Sequence, residues 1–276
     1  MAVHPEISVE FFPPKNEPGR ERLLAAMAAL APLEPAYASV TYGAGGSTQE
    51  RTLATVQLVK SESRFEPVPH LTCIGSTEAG IQELLDRYRG WGIQRIVALR
   101  GDLPEGMENP GFFRHASDLV AYIRDHGNFE ILVSAYPEVH PEAASATADL
   151  DYLVAKVQAG ASGLVTQYFY NPDAYLHLRD ALVRRGVDVP VTVGVMPMVS
   201  YEQTARFSAQ CGAEIPRFLR LAMEACADDL AAQWQTGVEI LSRQCQLLLR
   251  EGVPGFHFYT LNQAETTLAI WRNLSI

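Results

Sequence analysis

The chain has 276 residues, 47% hydrophobic and 20% charged, enough apolar material for a large core, which excludes global disorder. A formal net charge of −10 and a pI near 5.2 argue against nucleic acid or an anionic membrane as the main partner, because both need a basic surface. Local basic groups still leave room for an anionic ligand.

The opening residues run into a strand-like segment without a basic region and a long apolar run, so no signal peptide is expected. No stretch approaches the ~20 apolar residues of a membrane span. Cys73, Cys211, Cys226 and Cys245 are scattered and form no Cys-x-x-Cys pair. That pattern predicts no metal site and a reducing, cytoplasmic setting. Neither a P-loop nor a Gly-x-Gly-x-x-Gly fingerprint is present, so any nucleotide must be held by another route.

In chain order, Ile7 to Phe12 alternates like a strand and stops at Pro13-Pro14. Glu21 to Leu30 reads as a helix and Tyr37 to Tyr42 as a second strand, closed by Gly43-Ala44-Gly45-Gly46. Gln49 to Lys60 is helical, with Ser47 or Thr48 as its N-cap. Val68 to Cys73 is a third strand, Thr77 to Arg89 a helix ended by Gly90, and Ile93 to Leu99 a fourth strand, apolar as in a parallel sheet. Ala116 to Asp125 (helix), Glu130 to Ala135 (strand), Ser145 to Ala159 (helix) and Gly163 to Phe169 (strand) follow. Pro172 to Arg185 is then helical and Val189 to Val195 a seventh strand. Helical pieces at Tyr201 to Gln210, Pro216 to Ala225 and Asp228 to Arg250 precede an eighth strand, Gly255 to Thr260, and a closing helix, Gln263 to Trp271.

Strand then helix, about eight times, is the pattern of an α/β protein of the (β/α)8 barrel type, with extra helices before the last strand. A doubly wound open sheet is the alternative. No composition shift marks a linker, so residues 1–276 read as one domain. In a barrel, sites form at the C-terminal strand ends. Those ends supply Glu10, Thr41, His70, Arg100, Asp102, Tyr136, His140, Gln167 and Tyr259. Arg100 and Asp102, on either side of Gly101, either bind a ligand or pair with each other at the rim. Glu10 either joins a polar layer inside the barrel or acts as a general acid. Its apolar neighbours predict desolvation and a raised pKa. His70 is a candidate for a phosphate or polar ring, and Gln167 suits the edge of a pteridine or flavin. Phe207, taken alone, reads as packing.

Three groups of stretches then carry a resemblance. The first is Val9-Glu10-Phe11-Phe12-Pro13-Pro14 with Ser39-Val40-Thr41-Tyr42-Gly43-Ala44-Gly45-Gly46-Ser47-Thr48. The second is Ala98-Leu99-Arg100-Gly101-Asp102 with Ala135-Tyr136-Pro137-Glu138-Val139-His140-Pro141-Glu142. The third is Thr166-Gln167-Tyr168-Phe169 with His257-Phe258-Tyr259-Thr260-Leu261-Asn262. Together they resemble the methylenetetrahydrofolate reductases of the short bacterial type, flavoproteins of one-carbon metabolism.

The resemblance implies a (β/α)8 barrel holding non-covalent FAD, with NADH or NADPH as co-substrate. Methylenetetrahydrofolate would take a hydride from the flavin to give 5-methyltetrahydrofolate, supplying methyl groups for methionine. It implies Glu10 as proton donor and Asp102 as stabiliser of a cationic iminium. FAD would be held by Thr41, His70, Arg100, Gly101, Asp102, Ala116, Tyr136, His140, Asp149 and Lys156. Folate would meet Glu10, Asp102, Gln167, Gln203, Phe207 and Tyr259. A homo-oligomer is expected. His115 and Gln263 depart from the family pattern, at positions where a Tyr and an Arg are usual. Two other readings are a flavin-independent folate reductase of the same fold and a barrel that binds folate without catalysis.

Overall fold

A computed structural model describes residues 5–42, 46–102 and 111–274. Eight parallel strands close into a barrel in sequence order: β1 (Glu6–Phe11), β2 (Tyr37–Val40), β3 (Glu66–Thr72), β4 (Arg95–Leu99), β5 (Glu130–Ala135), β6 (Gly163–Thr166), β7 (Val191–Val195) and β8 (Gly255–Tyr259). Helices α1 (Glu17–Leu30), α2 (Gly46–Glu62), α3 (Glu78–Gly90), α4 (Ala116–His126), α5 (Ala146–Ala159) and α6 (Pro172–Arg184) connect the first seven strands. Between β7 and β8 come α7 (Tyr201–Cys211), α8 (Arg217–Glu224) and α9 (Leu230–Arg250), and α10 (Glu265–Leu274) follows β8. The expected (β/α)8 barrel with extra helices before its last strand is therefore the fold, and the open sheet is set aside.

Strand alternation sorts the side chains into two cores. Outward residues such as Val9, Phe11, Ile96, Ala98 and Phe258 pack with the helices in one large cluster. Inward residues Tyr37, Val68, Val97, Leu132 and Val165 form a second, smaller cluster that fills the barrel. Arg95 closes its lower end, with Nε 2.8 Å from Glu130 and the guanidinium 4.8 Å over the Tyr37 ring. An apolar plug below and polar strand ends above leave the chemistry at the upper mouth.

Helix starts follow local hydrogen bonding. The side chains of Asn16, Thr77, Ser145, Asn171, Ser200 and Asp229 each accept from a backbone N–H of the first turn. One expected cap is corrected: α2 already begins at Gly46, so Ser47 and Thr48 fall inside its first turn. Gly43, Ala44, Gly45 and Leu103 to Pro110 lie outside the described residues.

Candidate active site at the barrel mouth

Glu10 sits on β1 opposite Ser39 of β2 and Tyr259 of β8. Its carboxylate lies 3.3 Å from His70 Nε2, 3.6 Å from His257 Nε2 and 3.4 Å from Ser39 Oγ, which donates to it. His257 is fixed in turn by Ser8, 2.8 Å from its Nδ1, and by stacking on Tyr37 at 5.7 Å. Burial pushes the Glu10 pKa up, as expected from its neighbours. Hydrogen bonds to His257 and His70 and their attraction outweigh burial and hold it down at about 2. The raised pKa expected from sequence is thus corrected: two imidazoles reach a carboxyl that strand neighbours alone would leave desolvated. His257 and Ser39 were missed because they lie 247 and 29 residues from Glu10 in the chain. The inward alternation of His257 and Tyr259 along β8 was the available signal.

Tyr259 crosses the barrel. Its hydroxyl donates to the Thr166 carbonyl at 2.6 Å, passing over β7 at Gly194. A Cβ on Gly194 would come within 2.0 Å of that same carbonyl and 2.9 Å of the Tyr259 ring, so only glycine fits under the crossing. Tyr259 therefore offers its ring to the mouth, while its proton is committed to the backbone. Gln167, just past β6, accepts from the Tyr168 N–H at 3.0 Å, and its side chain is near enough to the Tyr136 phenol to act against the effect of burial there. Burial pushes the Tyr136 phenol up and keeps it neutral.

Beside this cluster, at the ends of β4 and β5, is a cavity of about 230 Å3. It brings together Arg100, Ala116, Tyr136, His140, Asp149 and Lys156 from the predicted set, with His115, Ser117, Glu142 and Tyr152 as additional walls. Lys156 projects from α5 and donates to the Ser134 carbonyl at 2.6 Å. It makes no salt bridge among the described residues, and burial depresses its pKa to about 8, partly offset by Asp149. Asp149 accepts from the His140 N–H at 3.0 Å, which shapes the loop after β5. His140 Nδ1 accepts from the Glu142 N–H at 3.1 Å, which leaves its Nε2 as the free ring nitrogen.

Arg100 pairs with Glu142 at 2.5 Å and not with Asp102, so the reading of a rim pair between Arg100 and Asp102 is set aside. Gly101 turns the chain with φ +86°, where a Cβ would come within 3.2 Å of Thr72 and Ile74. Asp102 is exposed just beyond it.

The opposite wall is α7. It carries Gln203 and Phe207 one turn apart, both half-buried, with Phe207 packed on the core. Ser208, next on that helix, is tied to the Tyr168 hydroxyl at 3.2 Å. The Glu214 N–H just beyond α7 donates to Glu138 at 2.8 Å, linking this wall to the loop after β5. Thr41, Gly101, Asp102, Gln203 and Phe207 are not among the residues lining the 230 Å3 cavity. A larger cavity, about 670 Å3, lies between α9 and α10 and touches none of the strand ends. Among the described residues no group of His, Cys, Asp and Glu is arranged to hold a metal ion. None of the described helices is long and apolar enough to cross a membrane.

The mouth therefore joins a histidine-held carboxylate to a cation-lined cavity. A family model for methylenetetrahydrofolate reductase matches residues 2–275. The chain belongs to the methylenetetrahydrofolate reductase family. It is 40% identical over 270 residues to the 5,10-methylenetetrahydrofolate reductase of Escherichia coli, covering 98% of this chain and 90% of that protein. The Pectobacterium carotovorum enzyme of the same name is 38% identical over the same shares. "Methylenetetrahydrofolate reductase (NADH) 1" of Arabidopsis thaliana is 36% identical, with 98% of this chain matching 48% of that longer protein. The chain is accordingly an oxidoreductase. A Clostridium thermocellum protein solved with two copies of 5-methyl-5,6,7,8-tetrahydrofolic acid shares the fold, with a TM-score of 0.69 at 16% identity over 100% of this chain and 97% of that one.

Proposed function

We propose that the chain reduces 5,10-methylenetetrahydrofolate to 5-methyltetrahydrofolate, with non-covalent FAD at the barrel mouth and NADH or NADPH as donor, and so supplies methyl groups for methionine synthesis. The observation that carries this reading is the adjacency just described. A carboxylate wired to two imidazoles stands beside a cavity whose buried ammonium, Lys156, has no carboxylate partner among the described residues. An unpaired buried cation is costly, and a phosphate would relieve it. Arg100 and Lys156 are the residues for the diphosphate, and Asp149 has an oxygen left for a ribose hydroxyl. Tyr136 and His140, in edge contact at 4.4 Å, form the aromatic wall. FAD, when bound, supplies the hydride relay between nicotinamide and folate. The name of the Arabidopsis relative supports NADH as donor.

Folate would enter between Gln167 and α7. Gln167 would orient the pterin edge, Phe207 would stack on the aminobenzoyl ring, the Tyr259 ring would offer a further apolar face, and Gln203, one turn from Phe207 on α7, would be a weaker contact. Asp102 stabilises the cation that forms when the five-membered ring of the substrate opens. Opening needs a proton on the leaving nitrogen. Glu10, within reach of both His70 and His257, is the group that would deliver it. A single catalytic domain over residues 1–276, a homo-oligomer and a cytoplasmic setting complete the reading, on composition and family resemblance.

The test is the visible spectrum of the purified protein, followed through anaerobic NADH and then methylenetetrahydrofolate. Flavin absorbance that bleaches and returns supports the full cycle. Protein that stays colourless after added FAD favours the flavin-independent or non-catalytic barrel.

A further inference from the structure

We propose that Glu142 is a built-in anion that occupies the Arg100 guanidinium and competes with the phosphates of the cofactor, setting how tightly the pocket holds it. The inference rests on the FAD reading above. Arg100 Nη2 and Glu142 Oε2 are 2.5 Å apart, and both residues line the 230 Å3 cavity. The pair joins the end of β4 to the loop after β5, and the Glu142 side chain is 57% exposed. It can therefore swing into solvent at little cost when a ligand takes its place.

Arg100 does not depend on this partner for its position. Its Nε also donates to the Gly101 carbonyl at 3.1 Å, in a turn whose positive φ at Gly101 disfavours any residue with a Cβ. The loop that carries Glu142 is held independently as well. The Glu142 N–H donates to His140, the Ala143 N–H donates to the His140 carbonyl at 2.9 Å, and Asp149 caps the His140 N–H. The carboxylate is thus spare to the scaffold while standing where a phosphate oxygen would sit. A phosphate arriving at Arg100 must displace it and, once bound, lies beside a like charge. Lys156, in the same cavity, donates to the Ser134 carbonyl and has no carboxylate in salt-bridge contact among the described residues.

Glu142→Gln keeps the shape and a neutral acceptor while removing the charge. Binding of FAD and of riboflavin, which has no phosphate, is measured by flavin fluorescence quenching with the full-length wild type and variant, over a range of salt. The expected result is FAD bound about tenfold more tightly by E142Q, a magnitude suited to a half-exposed charge. Riboflavin affinity stays unchanged. The salt dependence steepens in the variant, because the phosphate–Arg100 attraction is no longer offset by breaking an internal ion pair. FAD bound equally well or more weakly by E142Q overturns the inference and makes Glu142 a positioning residue for Arg100. Wild type and variant that both fail to bind FAD overturn the cofactor reading itself, and the inference with it.

Discussion

Glu10 faces Ser39, His70 and His257 at 3.6 Å or less, and His257 is itself held by Ser8 and Tyr37. In the cavity at the ends of β4 and β5, Lys156 leans on a backbone carbonyl and Arg100 on an exposed carboxylate. One side of the mouth is electrostatically complete without a ligand, and the other is left in deficit. The difference divides the labour. A group that handles protons needs a fixed partner to set its proton affinity, whereas a group that holds a phosphate must keep its charge available.

The comparison is broken most severely at Glu10. Glu10→Gln should lower the rate of folate-dependent flavin reoxidation by about 10²–10⁴-fold, the usual span for loss of a general acid, while bleaching by NADH continues. Stopped-flow absorbance of the two half-reactions separates these. The same substitution should flatten the acid limb of stability. Glu10 has a folded pKa near 2, below its ordinary value of 4.5. The stability it contributes is present above the unfolded pKa and lost as pH falls from about 5 toward 2. Thermal melts across that range should converge for wild type and E10Q at the acid end.

Gly194→Ala tests the roof shared by both sides, since the new Cβ would meet the Thr166 carbonyl at 2.0 Å. About 3 kcal/mol of destabilisation is expected from such overpacking, read as a lower urea midpoint. Lys156→Met should leave the melting temperature near that of wild type or raise it, because a desolvated cation is removed. FAD affinity should fall about 10–100-fold, the worth of a charge-assisted hydrogen bond.

The mildest probe is pH. In the free protein Lys156 loses its proton near pH 8, below its ordinary 10.5. FAD affinity should therefore decline several-fold as pH rises from 8 to 10. The sign for stability is opposite. The folded protein releases this proton before the unfolded chain does, so the lysine penalises the fold below about pH 8 and the penalty fades toward 10.5. Isothermal titration and melts over that interval read the two trends.

The alternation of strands and helices was legible because a parallel barrel writes its apolar runs and its caps locally. Asn16, Thr77 and Ser145 announce helix starts from side-chain chemistry within three residues. The cavity residues Arg100, Tyr136 and His140 were legible through their place at strand ends, and Lys156, on α5, only through the family resemblance. What escaped was pairing. Nothing near Glu10 in the chain reveals that His70 and His257 converge on it, so its proton affinity was read with the wrong sign. Nothing near Arg100 reveals that its partner is Glu142, 42 residues on, and not Asp102.

The seam between β1 and β8 carries a further consequence. Asn262 binds the Phe12 backbone through both its donor and its acceptor, Thr260 bonds the Glu10 carbonyl, and Ser8 orients His257, all across about 250 residues. The Glu10 carboxylate and one of its two imidazole partners are thus brought together by the first and last strands of the ring. During synthesis Glu10 emerges early and waits, without its second imidazole, until the closing strand docks. On the proposed function, activity then becomes a report of completed chain closure: a stalled or clipped polypeptide that still presents the cavity residues would lack the His257 imidazole beside Glu10.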